Sequence, residues 1–156
     1  MAARFSPGKI LGGIGGFIGV VASVVGIWQY VSGTTSYDIS GAWTIENTLQ
    51  KTSYKPFEGM RETFKVTFIQ NGTTFTGVGE KWSDNGQELT GPAHTPLEIT
   101  GTVDRSGLVK AGFTSHGEKR ESSGGFTWHL SSDGKHGTGT FESTAAASSG
   151  PSTLSR

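Results

Sequence analysis

The feature that most constrains the fold of this chain is an alternation of apolar and polar residues with a period of two, which begins near residue 39. Side chains two residues apart in a β-strand point to the same face, so this alternation is typical of strands with one buried face. It places Phe64, Val66 and Phe68 on one face, and the Asn71-Gly72 pair that follows favours a tight hairpin turn. The sequence therefore predicts an all-β domain.

Seven strands follow from this pattern, and an eighth is predicted between Leu49 and Phe57. Most connections are short, so strands that are neighbours in sequence are expected to pair. A two-sheet sandwich also fits the spacing, but short hairpins favour an up-and-down antiparallel barrel of about eight strands, similar to lipocalins and avidins. The seven strands are predicted at 39–47, 61–70, 73–82, 97–103, 108–114, 125–130 and 136–143.

Glycines inside the predicted strands suggest sharp bends or close approach between backbones. The barrel domain is predicted to cover residues 39–143, and the small polar residues 144–156 are predicted to form a flexible tail. The glycines concerned are Gly77, Gly79, Gly101, Gly112 and Gly139.

A second feature, the uncharged stretch from Ile10 to Trp28, predicts one transmembrane helix over residues 10–31. Nineteen helical residues span about 28 Å, close to the thickness of the hydrocarbon layer. A cleaved signal peptide and a buried helix are the alternatives. The length of the apolar stretch and its Trp28-Gln29-Tyr30 ending favour an uncleaved anchor. Residues 1–9 would then be an N-terminal tail, and residues 32–38 a linker to the barrel.

Small residues recur at every fourth position of this helix, on one face. In lipid, such a face allows two backbones to approach closely, so the segment is predicted to self-associate. The residues concerned are Gly12, Gly15, Gly16, Gly19 and Ser23, and the Ala22/Gly26 pair continues the spacing.

No catalytic constellation stands out, and we expect neither an enzyme nor a cofactor. The chain contains no cysteine, and its four histidines lack metal-ligand spacing, so no metal site is predicted. The formal net charge is zero, which argues against direct binding of DNA or RNA through bulk charge.

Binding of a small ligand is better supported by the sequence. Lys81, Lys119 and Arg120 are candidates for contacts with phosphate oxygens. Trp43 and Trp82 are candidates on which a base could stack. Trp43 shares its face with core residues, which favours packing, whereas Trp82 shares its face with polar residues and is the better candidate.

Five segments resemble the β-rich domain of bacterial transmembrane effectors in CBASS-type antiphage systems: ISGAWTIEN, FIQNGTTFTGVGEKW, PLEITGTV, EKRESSGGFTWHL and GTGTFESTAAASSG. The resemblance implies a lipocalin-like barrel that senses a cyclic nucleotide, joined to helices that assemble and disrupt the inner membrane. It therefore implies three partners: a cyclic oligonucleotide, the lipid bilayer and further copies of the chain.

The orientation of the barrel is left open between two expectations. Members of that family typically have two membrane helices, which return the barrel to the cytoplasm, whereas this chain shows one. Arg4 and Lys9 precede the helix, and the positive-inside bias would place the barrel outside. The localisation predicted is the bacterial inner membrane, crossed once.

Two other functions compete with the sensor. One is an outward-facing, membrane-tethered barrel for a small ligand, similar to lipocalins and avidins, which also carry a Gly-x-Trp near the first strand, here Gly41-Ala42-Trp43. The other is a structural anchor or adaptor whose barrel is filled by its own side chains.

Overall fold

A computed structural model describes residues 37–156, and this part of the chain consists of β-strands joined by short loops and three short 3-10 turns. The turns are Lys55–Phe57, Gly91–Ala93 and Ala145–Ala147. The strands are β1 (Gly41–Thr48), β2 (Arg61–Asn71), β3 (Thr74–Asp84), β4 (Gln87–Glu88), β5 (Pro96–Val103), β6 (Leu108–His116), β7 (Glu121–Leu130), β8 (His136–Ser143) and β9 (Ser148–Ser155).

Eight of these strands form a closed antiparallel barrel with up-and-down topology. The two-residue strand β4 pairs only with β3 and is not part of the barrel, so β3 pairs with β5. Each of the other strands pairs with the next along the chain, and β9 closes the barrel by pairing with β1. In the closing pair Thr44 lies opposite Ser155, and Asn47 lies opposite Ser152. The all-β class and the eight-stranded barrel expected from the sequence are therefore confirmed for the described residues.

The eighth strand is not where the sequence placed it. Residues 49–57 contain a 3-10 turn around Pro56 and only an isolated bridge from Lys51 to Ser149. The missing strand is β9, so the predicted flexible tail from residue 144 is wrong, and the barrel extends to Ser155 instead of ending at residue 143. Hydrogen bonding of β9 to both β8 and β1 holds a segment whose side chains are mostly small and polar.

The barrel interior is filled by apolar side chains along most of its length. At the end where the described chain begins, Ile39, Phe68 and Val103 are almost wholly buried, and we call this the closed end. Trp128 is also inaccessible to solvent, and its indole Nε1 donates to Ser152 Oγ at 2.9 Å. We call the opposite end the mouth; it carries the loops β1–β2, β3–β5, β6–β7 and β8–β9.

Close backbone approach is confirmed at three of the five strand glycines. A Cβ atom at Gly79, Gly101 or Gly139 would overlap a backbone oxygen of the adjacent strand, whereas at Gly77 it would overlap the ring of Phe68. The expectation is wrong for Gly112, where the nearest atom to such a Cβ is the Gly124 oxygen, 3.9 Å away.

The predicted membrane segment lies outside the described residues. This applies to the helix over residues 10–31 and to its self-association face of Gly12, Gly15, Gly16, Gly19 and Ser23. Within residues 37–156, no helix has the length and apolar character needed to cross a membrane.

Candidate ligand-binding site

A cavity of about 370 Å³ opens at the mouth of the barrel. Its floor is formed by Phe64, Phe113 and Phe141, which point inward from β2, β6 and β8. The inward positions two residues nearer the mouth are polar on these three strands, because the apolar alternation stops before each strand ends. The cavity therefore has an aromatic floor and a polar wall.

The wall is built from small polar side chains at the mouth ends of the strands. Ser115 and Ser122 lie opposite each other on β6 and β7, and Ser143 ends β8. Serine at these inward positions leaves room that leucine or phenylalanine would fill, so the cavity follows directly from the change of residue type.

One wall carries a partly buried ion cluster. Lys81 Nζ lies 2.8 Å from Glu62 Oε1 and 2.8 Å from Asp84 Oδ1. Burial alone lowers the pKa of Lys81, but the charges and hydrogen bonds of Glu62 and Asp84 outweigh it, so the pKa is raised above its ordinary value. Lys81 is therefore cationic at neutral pH, and its charge is largely matched by its two partners.

Two further cations stand at the rim. Lys119 and Arg120 lie on the loop between β6 and β7, are exposed, and line the cavity. Neither forms an ion pair with any of the residues 37–156. Across the opening, Pro92 and Ala93 of a 3-10 turn complete the rim. The rim thus offers unneutralised positive charge, although Glu118 also lines it.

Asn47 has an unusual environment within this wall. Its side chain is 2 % exposed, and its Oδ1 accepts no hydrogen bond from any group in the described part of the chain. It lines the cavity and lies opposite Glu62 in the pairing of β1 with β2. A buried acceptor without a donor is rare in folded proteins, and each such group needs an explanation.

The structure separates the five residues that the sequence proposed for ligand binding. Lys81, Lys119 and Arg120 line the same cavity. Trp82 follows Lys81 on β3 and therefore faces the outside of the barrel, where it packs edge-on against His94 and lies under Lys65 Nζ.

Trp43 takes no part in the mouth cavity. Its side chain is 3 % exposed, and its indole Nε1 donates to the backbone oxygen of Ile39 at 2.7 Å. The packing role that its face suggested is therefore what the structure shows for this residue.

Sequence reasoning missed Asn47, the serines of the wall and the phenylalanine floor. A signal for them was present in the alternation itself. On β6, β7 and β8 the inward positions change from large apolar residues to serine toward the mouth, and this change marks the cavity. The pattern identifies the cavity only when the order of the strands around the barrel is known, because that order decides which strand ends lie together.

Protein-family models, curated proteins and solved structures were all compared with this chain, and none of the three comparisons finds a match. The chemistry of the mouth cavity is therefore the basis for assigning a ligand.

Proposed function

We propose that the barrel is a receptor for a small anionic molecule with a planar ring, and that this ligand is a nucleotide. The observation that carries the proposal is the convergence of Lys81, Lys119 and Arg120 on one cavity with an aromatic floor. Cyclic oligonucleotides, which the resemblance to CBASS-type effectors implies, belong to this ligand class.

Each part of the cavity suits one part of a nucleotide. Arg120 can form a two-pronged contact with phosphate oxygens, and Lys119 can add a point charge. A base can stack on Phe113, which is only partly buried, while the buried Phe64 and Phe141 close the floor beside it. The volume of about 370 Å³ lies near the lower end of the range for ligand pockets, about 300–1,000 Å³, so it suits one base with the phosphates at the rim.

The proposal includes a membrane step. Residues 10–31 anchor the chain in the bacterial inner membrane, and ligand binding favours an assembly of barrels that brings the glycine-rich helices together to disrupt the membrane in antiphage defence. A ligand can shift such an assembly only by its differential affinity for the two states. Tethering raises the local concentration of the helices without new contacts.

The binding step is tested by calorimetry and thermal unfolding of the full-length chain in detergent. The probes are AMP, CMP, GMP, UMP, cyclic di-AMP, cyclic di-GMP and inorganic phosphate. Binding stabilises the native state by about 2.7 kcal/mol when the probe is present at one hundred times its Kd, so Tm should rise by several degrees. We expect Arg120→Ala to weaken nucleotide binding about tenfold or more, because a charged hydrogen bond is lost.

Lys110→Ala is the matched control, because Lys110 is an exposed cation on the outer face of β6. It should leave the affinity unchanged. If no nucleotide raises Tm, or if Lys110→Ala weakens binding as much as Arg120→Ala, the mouth cavity is not a nucleotide site. A chain that binds none of the probes would favour the structural anchor.

A second candidate is an outward-facing, membrane-tethered barrel for a small ligand. It is favoured by Arg4 and Lys9, which precede the one predicted membrane helix. A reporter fused after residue 156 distinguishes the two candidates. Activity in the cytoplasm supports the sensor, and activity in the periplasm supports the outward-facing barrel.

A further inference from the structure

We infer that Asn47 is a specificity-determining residue, which selects ligands whose base presents an exocyclic amino group to the inner wall of the mouth cavity. The inference rests on the proposed nucleotide-binding function and specifies the class of base: adenine, cytosine or guanine, which carry an exocyclic amino group, and not uracil. It is carried by a juxtaposition of two side-chain acceptors, Asn47 Oδ1 and the carboxylate of Glu62.

The inward position of Asn47 at the mouth places its side chain where it can contact a bound ligand. It occupies the inward position of β1 nearest the mouth, two residues beyond the buried Ile45. Its Oδ1 is buried and lacks a donor among residues 37–156. The nearby ammonium group of Lys81 is held between Glu62 and Asp84, and forms no hydrogen bond with Asn47.

Asn47 and Glu62 offer two acceptors side by side. They are direct partners in the pairing of β1 with β2, so their side chains project inward next to each other, with Cβ atoms about 4.5–5.5 Å apart. Glu62 Oε1 accepts a hydrogen bond from Lys81, and Glu62 Oε2 remains as a further acceptor. An amino group has two hydrogens and can donate one to each residue.

The ligand group that donates to Asn47 and Glu62 is assigned as neutral, because cationic side chains already surround the cavity. Lys81 on the wall and Lys119 and Arg120 on the rim disfavour a second ammonium group inside. Adenine, cytosine and guanine carry a neutral amino group on a flat ring, which fits over the phenylalanine floor. A site built to hydrogen-bond a ligand rejects an analogue that lacks the partner group, because its own polar atom is then left unpaired.

The test compares nucleotides that differ only in this amino group. AMP is paired with purine riboside 5′-monophosphate, and CMP with 2-pyrimidinone riboside 5′-monophosphate, in calorimetry on the full-length chain. In the wild type we expect deletion of the amino group to weaken binding about tenfold or more. In Asn47→Leu the two members of each pair should bind within about threefold of one another.

Thermal unfolding without ligand gives a second readout. Leucine has nearly the shape of asparagine and removes the unpaired acceptor, so the Tm of Asn47→Leu should equal or exceed that of the wild type. Thr48→Ala, on the outer face of β1 next to Asn47, is the control and should retain the amino preference. Asn47→Ala also removes the acceptor, should lose the amino preference as well, and serves if the leucine variant does not fold.

The outcomes separate the two proposals. If nucleotides bind but the amino group makes no difference, or if the preference survives in Asn47→Leu, the role of Asn47 is overturned while nucleotide binding stands. A preference for UMP over AMP, CMP and GMP overturns it too, because uracil alone among these four bases carries no exocyclic amino group. If none of the nucleotides binds, the proposed function fails, and the inference fails with it.

Discussion

Arg156 lies over the indole ring of Trp43, with its Cζ atom 4.3 Å from the ring centroid. Its guanidinium group also donates a hydrogen bond to the backbone oxygen of Asp38, 118 residues earlier in the chain. One side chain thus ties the residue that follows β9 to β1 and to the segment before it. The contact stabilises the pair of strands that closes the barrel.

Replacement of Arg156 by alanine should destabilise the barrel by about 1–2 kcal/mol, because a cation–π contact and a charged hydrogen bond are both lost. Urea unfolding followed by tryptophan fluorescence measures the change. Arg61→Ala is the control: Arg61 pairs with Glu46 at 3.8 Å on the surface, and such exposed pairs contribute little. Equal effects of the two substitutions would contradict a special role for Arg156.

Ser152→Ala should destabilise the barrel by about 1–3 kcal/mol, because the wholly buried indole Nε1 of Trp128 then lacks an acceptor. The midpoint of urea unfolding is the measurement. Thr153→Ala, on the exposed face of the same strand, should cost much less and serves as the control. A midpoint unchanged in Ser152→Ala would mean that the indole finds another acceptor.

Gly139→Ala should destabilise the barrel by about 2 kcal/mol or more, because the added methyl group would overlap the backbone oxygen of Thr127 on β7. Gly112→Ala is the matched substitution at a strand glycine with open space and should be nearly neutral. Thermal unfolding of both variants checks the difference. If Gly112→Ala is the more harmful of the two, the close approach at Gly139 does not limit the fold.

Lys81→Met should destabilise the barrel by about 1–3 kcal/mol at pH 7, because Glu62 and Asp84 are then left as facing, partly buried carboxylates. Urea unfolding at pH 7 measures the loss, with Lys110→Met as the control on the outer face. An equal loss in the two variants would contradict the electrostatic explanation.

The wild-type chain should lose stability at high pH, where Lys81 gives up its proton. The pKa of Lys81 is raised in the folded state, so its contribution to stability is present in full below its unfolded pKa, about 10.4, and is lost as the pH rises through the folded value. Stability should therefore show no Lys81-dependent change between pH 7 and 9. A loss above pH 10 that is absent in Lys81→Met would confirm the assignment.

The fold could be predicted from the sequence because its strands alternate strictly and their turns are short. Phe64, Val66 and Phe68 mark β2 without any tertiary information. The hairpin to β3 forms as expected, although its two turn residues are Gly72 and Thr73, one position later than the predicted Asn71-Gly72 pair. The segment that failed was β9. Three of its four inward residues, Ser148, Gly150 and Ser152, are small or polar, so its place in the sheet depends mainly on backbone pairing with β1 and β8, which a local pattern does not contain.

The candidate site could be predicted only in part. Lys81, Lys119 and Arg120 were identified by charge, and the structure adds that they line one cavity. Asn47 could not be found this way, because its significance depends on a buried oxygen without a donor, and burial depends on the meeting of distant strands. Adjacent residues on a strand face opposite sides, which separates Trp82 from Lys81.

The return of β9 to β1 has a consequence for how the chain reaches its native state. Both of its neighbours, β1 and β8, keep an unsatisfied row of backbone groups until this strand docks. Closure brings together segments from the two ends of the barrel sequence, so we expect it to be the slow, high-contact-order step of folding. Before that step the open sheet can recruit the same strand from another copy of the chain, so we expect strand exchange to be the main misfolding route of this barrel.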